Sequence, residues 1–273
     1  MTALAEAFAR ARAEGRAALI GYLPAGFPSR DDSVRIMRAM VDAGVDIVEV
    51  GLPYSDPLMD GPVIQAAADQ ALRAGTTPAD VIAVAGEVAE TGAATLVMSY
   101  WNPVERFGVD AFARDLAAAG GCGVITPDLT PEESAAWSAA TTAHGVDRIY
   151  LVAPSSTDER LRTVSEACTG FVYAASTMGV TGARTSVSGA AETLVARVRA
   201  VTDLPVAVGL GVSTGEQAAE IAAYADGVIV GSAFIRLVLD APTIEDAERD
   251  VAALAGELAA GVRRRRIDAG PVT

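Results

Sequence analysis

Short runs of β-branched and small apolar residues alternate along the chain with longer stretches whose apolar positions recur every three or four residues. The short runs 18–23, 46–51, 94–99, 122–126, 148–152, 171–174, 205–209 and 227–230 predict eight strands. Between them, helical periodicity covers 32–43, 109–118, 131–143, 159–167, 190–201 and 215–222, with a last helix over 243–262 capped by Thr243. Prolines and glycines mark the joints: Pro24-Ala25-Gly26, Gly120-Gly121, Pro131 and Gly215. Ser29 and Thr130 stand where N-caps belong, and Glu133 is placed to complete a capping box with Thr130.

Strands alternating with helices imply parallel pairing through crossover helices. Eight such units in about 250 residues predict a (β/α)8 TIM barrel of the α/β class. A doubly wound open sheet is the rival, but it needs a glycine-rich turn after its first strand. Ile20-Gly-Tyr-Leu-Pro-Ala-Gly26 does not fit one. Residues 1–15 read as an extra N-terminal helix across the barrel bottom, 16–262 as the barrel and 263–273 as a tail, all in a single domain.

Composition narrows the function. The 273 residues include 51% hydrophobic positions and only 5% aromatic ones, which suits a packed α/β protein rich in small aliphatics. A net charge of −14 argues against nucleic acid and anionic membrane as partners. No uncharged apolar run reaches the roughly 18 residues of a membrane span, and Met1-Thr-Ala-Leu-Ala-Glu6 does not read as a secretory signal. Two cysteines, Cys122 and Cys168, give no disulfide framework, so a cytoplasmic protein is expected.

All 21 basic residues are arginines. Without lysine the chain cannot form a Schiff base, and with His144 as its one histidine it cannot build a multi-histidine zinc site. No metal or cofactor is expected. Catalysis must rest on carboxylates, hydroxyls, arginines and backbone dipoles.

The segment Glu49-Val-Gly-Leu-Pro-Tyr-Ser-Asp-Pro-Leu-Met-Asp60-Gly-Pro62 carries the sharpest signal. If Val48 and Val50 face the helices, alternation turns Ile47, Glu49 and Gly51 inward, at the strand end where barrel active sites form. Burial there opposes the charged form of a carboxyl, and Glu49 with Asp60 could supply acid and base to one substrate. Glu49 could equally be half of a structural ion pair with an arginine. Asp60-Gly61-Pro62 could equally be a turn or an N-cap, and Ser55-Asp56-Pro57 reads as a turn former.

Gly209-Leu-Gly211-Val-Ser213 and Gly231-Ser232 follow the last two strands, where barrels build phosphate sites from backbone N–H groups. Ordinary tight turns would look similar. The small, polar segment 173–189 reads as a lid. His144 reads as a solvated helix end, the cysteines as packing residues, and Arg263–Arg266 as cations offsetting a helix dipole.

Residues 49–62 with Ile64-Gln65 strongly resemble the signature of the tryptophan synthase alpha subunit family. Gly179-Val-Thr-Gly182, Gly209–Ser213 and Gly231-Ser232 resemble that family's phosphate-handling segments, in the same order and spacing. The likeness spans residues 16–240. It implies retro-aldol cleavage of indole-3-glycerol phosphate to indole and glyceraldehyde 3-phosphate, a carbon–carbon lyase reaction in tryptophan biosynthesis. It also implies a pyridoxal phosphate beta subunit that receives indole in an α2β2 tetramer, with loops 52–61 and 175–189 facing it. Glu49 and Asp60 fall on the family's catalytic positions. Tyr22, Ile64, Met98 and Tyr173 fall on its indole-pocket and site-lining positions; Gly182, Leu210, Gly211, Gly231 and Ser232 fall on its phosphate-contacting ones. Tyr22 stands where phenylalanine is common, and Thr177 where some members carry arginine.

Two rivals remain at this level. Another phosphate-binding barrel lyase or isomerase would share the glycine-rich segments, although indole-glycerol phosphate synthase uses lysines this chain lacks. A non-catalytic regulatory subunit would need only the partner surface.

Overall fold

A computed structural model describes residues 2–175, 184–209 and 211–264 of the protein. Its strands are β1 (Ala18–Pro24), β2 (Ile47–Gly51), β3 (Ala94–Met98), β4 (Gly123–Ile125), β5 (Asp147–Ile149, resuming at Leu151–Val152), β6 (Val172–Ala175), β7 (Val206–Gly209) and β8 (Gly227–Val230). Every pairing is parallel, and the sheet order runs from Asp147–Ile149 through β4, β3, β2, β1, β8, β7 and β6 to Leu151–Val152. The two ends of that order are one chain segment interrupted at Tyr150, so the sheet closes into an eight-stranded barrel.

Helices wrap it: α1 (Ala3–Ala13), α2 (Arg30–Asp42), α3 (Pro62–Arg73), α4 (Pro78–Ala89), α5 (Trp101–Phe107), α6 (Val109–Ala119), α7 (Ala135–His144), α8 (Asp158–Ala167), α9 (Arg184–Arg199), α10 (Gly215–Ala222), α11 (Ser232–Asp240) and α12 (Ile244–Val262). Hydroxyl side chains start six of them. Thr2, Ser29, Thr77, Thr157, Thr214 and Thr243 each accept a first-turn backbone N–H. The box expected at Thr130 does not form: Pro131–Glu133 is a short 3-10 turn and Thr130 makes no side-chain cap. A capping box closes instead at Thr77 and Asp80.

The period of two sorts the strand residues into two cores. Leu19, Val48, Val50, Val97, Val124, Val208 and Val228 face outward onto Met37, Met40, Val84, Phe112, Trp137, Phe234 and Leu258. Ile20, Ile47, Leu96, Ile125, Ile149, Phe171 and Ile229 fill the barrel together with Leu4 and Phe8 of α1. Helix α1 therefore plugs the bottom. Phe8 and Phe171 meet with ring centroids 5.6 Å apart, and the Thr2 hydroxyl donates to Asp147 at 2.7 Å. Beside them, buried Arg16 donates to both oxygens of Asp46 at 2.6 and 2.8 Å, and the Leu19 amide donates to the same carboxylate at 2.9 Å. This ion pair ties the starts of β1 and β2. Helix α1 and this ion pair therefore fill the N-terminal end of the barrel.

Candidate active site

Glu49 lies in the middle of β2, between Val48 and Val50 of the outer core, so its side chain points into the barrel. It is 2% exposed, its Oε1 has no hydrogen-bond partner, and no arginine among the described residues pairs with it. Burial pushes its pKa up to about 8. The structural ion-pair reading of Glu49 therefore fails, and a carboxyl able to exchange protons near neutrality remains.

Parallel register sets Tyr22 of β1 opposite Glu49. The Tyr22 ring leans one level higher, because Gly51 leaves room: a Cβ on Gly51 would lie 2.4 Å from the Tyr22 hydroxyl oxygen. Tyr173 of β6 leans over Gly209 in the same way, with its hydroxyl 2.5 Å from the Cβ that glycine lacks. The negative charges of Glu49 and Asp60 act on both phenols, after burial the next causes that keep them protonated. Met98 ends β3 at the level of Gly51, and Ile64 sits half-buried in the first turn of α3.

Asp60 reaches this cavity from the loop between β2 and α3. It is not an N-cap: Gly61 takes that position, with Pro62 starting the helix. The Asp60 carbonyl accepts from the Gln65 amide at 2.7 Å, which fixes the loop's end to the helix. The Tyr100 hydroxyl lies near its carboxyl. Burial raises the Asp60 pKa, and the Tyr100 hydroxyl opposes that rise by favouring the ionised form. Asp56 is exposed and accepts from the Ser55 hydroxyl, as a turn former does.

Tyr100 joins this group of residues although the sequence alone did not single it out. It lies two residues past β3, accepts the Met59 amide at 3.0 Å, packs against Tyr54 at 5.4 Å between centroids and places its hydroxyl near Asp60, where it favours the ionised carboxylate. A tyrosine two residues past an inward Met98, at the catalytic end of a barrel strand, was the available signal.

The loops after β7 and β8 offer backbone dipoles. Helix α11 starts at Ser232 behind Gly231, and no side chain caps its first turn, so its N–H groups are open to an anion. Gly211 adopts φ +63°, a conformation that favours glycine. Gly182, Leu210, Thr177 and the rest of 176–183 in the segment read as a lid lie outside the described residues. The lid reading shrinks on its far side, because α9 begins at Arg184 rather than near residue 190. No proline interrupts that stretch, and a lone Gly189 costs a helix about 1 kcal/mol without ending it.

The remaining candidates are structural. Both cysteines are buried with thiol pKa values pushed up to about 12 by burial. His144 ends α7 and meets Asp110 at 2.9 Å, beside a shallow apolar surface groove of about 390 Å³ that holds no other titratable group. Arg263 donates to the Ala259 carbonyl at the end of α12, and Arg264 pairs with Glu216. Among the described residues no helix is long and apolar enough to cross a membrane.

A protonatable glutamic acid, a loop aspartate beside a phenol and an uncapped helix start gather around Tyr22 at the C-terminal ends of the strands. Known proteins resemble this chain over nearly its whole length. The tryptophan synthase alpha chain family profile matches residues 8–263. The alpha chain of Thermobifida fusca is 64% identical over 266 residues, covering 96% of this chain and 98% of the relative, and that of Acidothermus cellulolyticus is 62% identical with 97% and 98% covered. A solved structure of Mycobacterium tuberculosis tryptophan synthase superposes with TM-score 0.89 at 56% identity, over 95% of this chain and 98% of that one. The alpha subunit of Legionella pneumophila superposes with TM-score 0.88 at 31% identity, over 96% and 98%. This chain belongs to the tryptophan synthase alpha chain family.

Proposed function

We propose that this chain is the alpha subunit that cleaves indole-3-glycerol phosphate to indole and glyceraldehyde 3-phosphate. Family membership supports the reaction, and the observation that carries the residue roles is the partnerless, buried Glu49 carboxyl with its pKa near 8. In this scheme Asp60, as carboxylate, accepts the indole N–H and offsets the positive charge that develops on the ring. Glu49 gives its proton to C3, then takes the proton of the hydroxyl on the carbon bonded to C3. The C3–carbon bond breaks, its electron pair returns to the ring, and the hydroxyl carbon leaves as an aldehyde. Glu49 ends the cycle protonated again. The ring serves as the electron sink, so no lysine is required. Tyr22, Ile64, Met98 and Tyr173 enclose the indole and its chain. Gly211, Gly231 and Ser232, with Gly182 and Leu210, bind the phosphate through N–H groups and the α11 dipole.

The same reading gives the chain a cytoplasmic setting and a beta-subunit partner in an α2β2 tetramer. Leu58 and Met59, 77% and 37% exposed on the loop that carries Asp60, are apolar side chains suited to that contact. Incubation of the purified chain with indole-3-glycerol phosphate tests the function. Indole and aldehyde should appear in equal amounts; no indole, with or without a beta subunit, would refute it.

A further inference from the structure

The proposed reaction leaves the Tyr22 hydroxyl without a task. Tyr22 is 7% exposed, and its hydroxyl makes no hydrogen bond among the described residues. That hydroxyl is not sealed from solvent, so it stands open to a ligand atom as its partner. Strand β1 lies between β8 and β2, and the ring spans that gap. Its Cδ1 would stand 3.1 Å from a Cβ on Gly231, and its hydroxyl 2.4 Å from a Cβ on Gly51. Gly231 opens helix α11, and Gly51 lies two residues beyond Glu49 on the same inward face. A ligand anchored by phosphate at α11 and presenting a ring carbon to Glu49 must therefore run its connecting chain past Tyr22. That chain, in the reaction proposed above, is three carbons long and bears two hydroxyls.

We propose that Tyr22 is a substrate-positioning residue whose hydroxyl hydrogen-bonds the hydroxylated chain between phosphate and ring, an inference that rests on the proposed reaction. Burial, then the charges of Asp60 and Glu49, keep the phenol protonated, so it acts as a donor. The bond fixes the rotation of the carbon whose bond to the ring will break.

The test compares wild type with Tyr22→Phe on two ligands: indole-3-glycerol phosphate, and 3-(indol-3-yl)propyl phosphate, which lacks both chain hydroxyls. The expected result is a fall of about five- to tenfold in kcat/KM for the glycerol compound, the size of one neutral hydrogen bond. Kd for the propyl compound and Tm should stay unchanged. Equal losses on both ligands would assign the effect to ring packing and overturn the proposal, as would no loss on either. Failure of the wild type itself to cleave the glycerol compound would remove the reaction, and the positioning role with it.

Discussion

Glu49 couples the chemistry of the site to the stability of the fold. Its carboxyl is raised from an ordinary value of 4.5 to about 8 because ionisation inside the barrel is unfavourable. Between those values the unfolded chain has lost the proton while the folded chain keeps it, so stability falls as pH rises from about 4.5 to about 8 and is flat above. Glu49→Gln removes the ionisation. Relative to wild type it should be more stable at pH 8 by about 3–5 kcal/mol, and by much less at pH 5. Denaturant unfolding at the two pH values checks this, and an equal difference at both would contradict it. Tyr100 gives a second residue-scale prediction. Tyr100→Phe removes the donor that favours ionised Asp60, so kcat/KM should drop about tenfold and the acid limb of the pH profile should move to higher pH. An unchanged acid limb would show that Tyr100 only packs. Glu49 was legible in the sequence as a carboxyl on an apolar strand, and Asp60 through the motif that carries the family resemblance. Tyr100 was not, since its role appears only when the loop from β2 folds back over the end of β3.

At the scale of elements, strand positions were legible because a buried parallel strand must be a short apolar run, whatever its neighbours. The break at Tyr150, which divides β5 between β4 and β6, had no local signal; it follows from closing the barrel. Thr130 and Glu133 had the residues of a capping box but Pro131 led into a 3-10 turn, so spacing alone misled. The base of β1 and β2 depends on Arg16 and Asp46, 5% and 8% exposed. Arg16→Leu leaves the Asp46 carboxylate buried without its cation and should cost about 3–5 kcal/mol. Thermal or denaturant unfolding reads this directly, and a loss below 1 kcal/mol would mean that water replaces the guanidinium.

For the whole molecule, the plugged bottom and the open mouth leave one end of the barrel for substrate and partner. The net charge of −14 and the absence of lysine were legible at once; the first argued against anionic partners and the second excluded Schiff-base chemistry. The partner surface was legible only through the resemblance, since Leu58 is one leucine among many until the fold exposes it. Leu58→Asp should weaken association with a beta subunit at least about tenfold, as loss of one buried leucine implies, with Tm of the free chain unchanged. An unaltered Kd would place the contact elsewhere.

The central claim is that Glu49 carries the proton that breaks the carbon–carbon bond. Single-turnover indole release from indole-3-glycerol phosphate, wild type against Glu49→Gln, tests it most directly. The Glu49→Gln rate should be lower by at least ~10²-fold with substrate still bound. A Glu49→Gln rate close to wild type would contradict it.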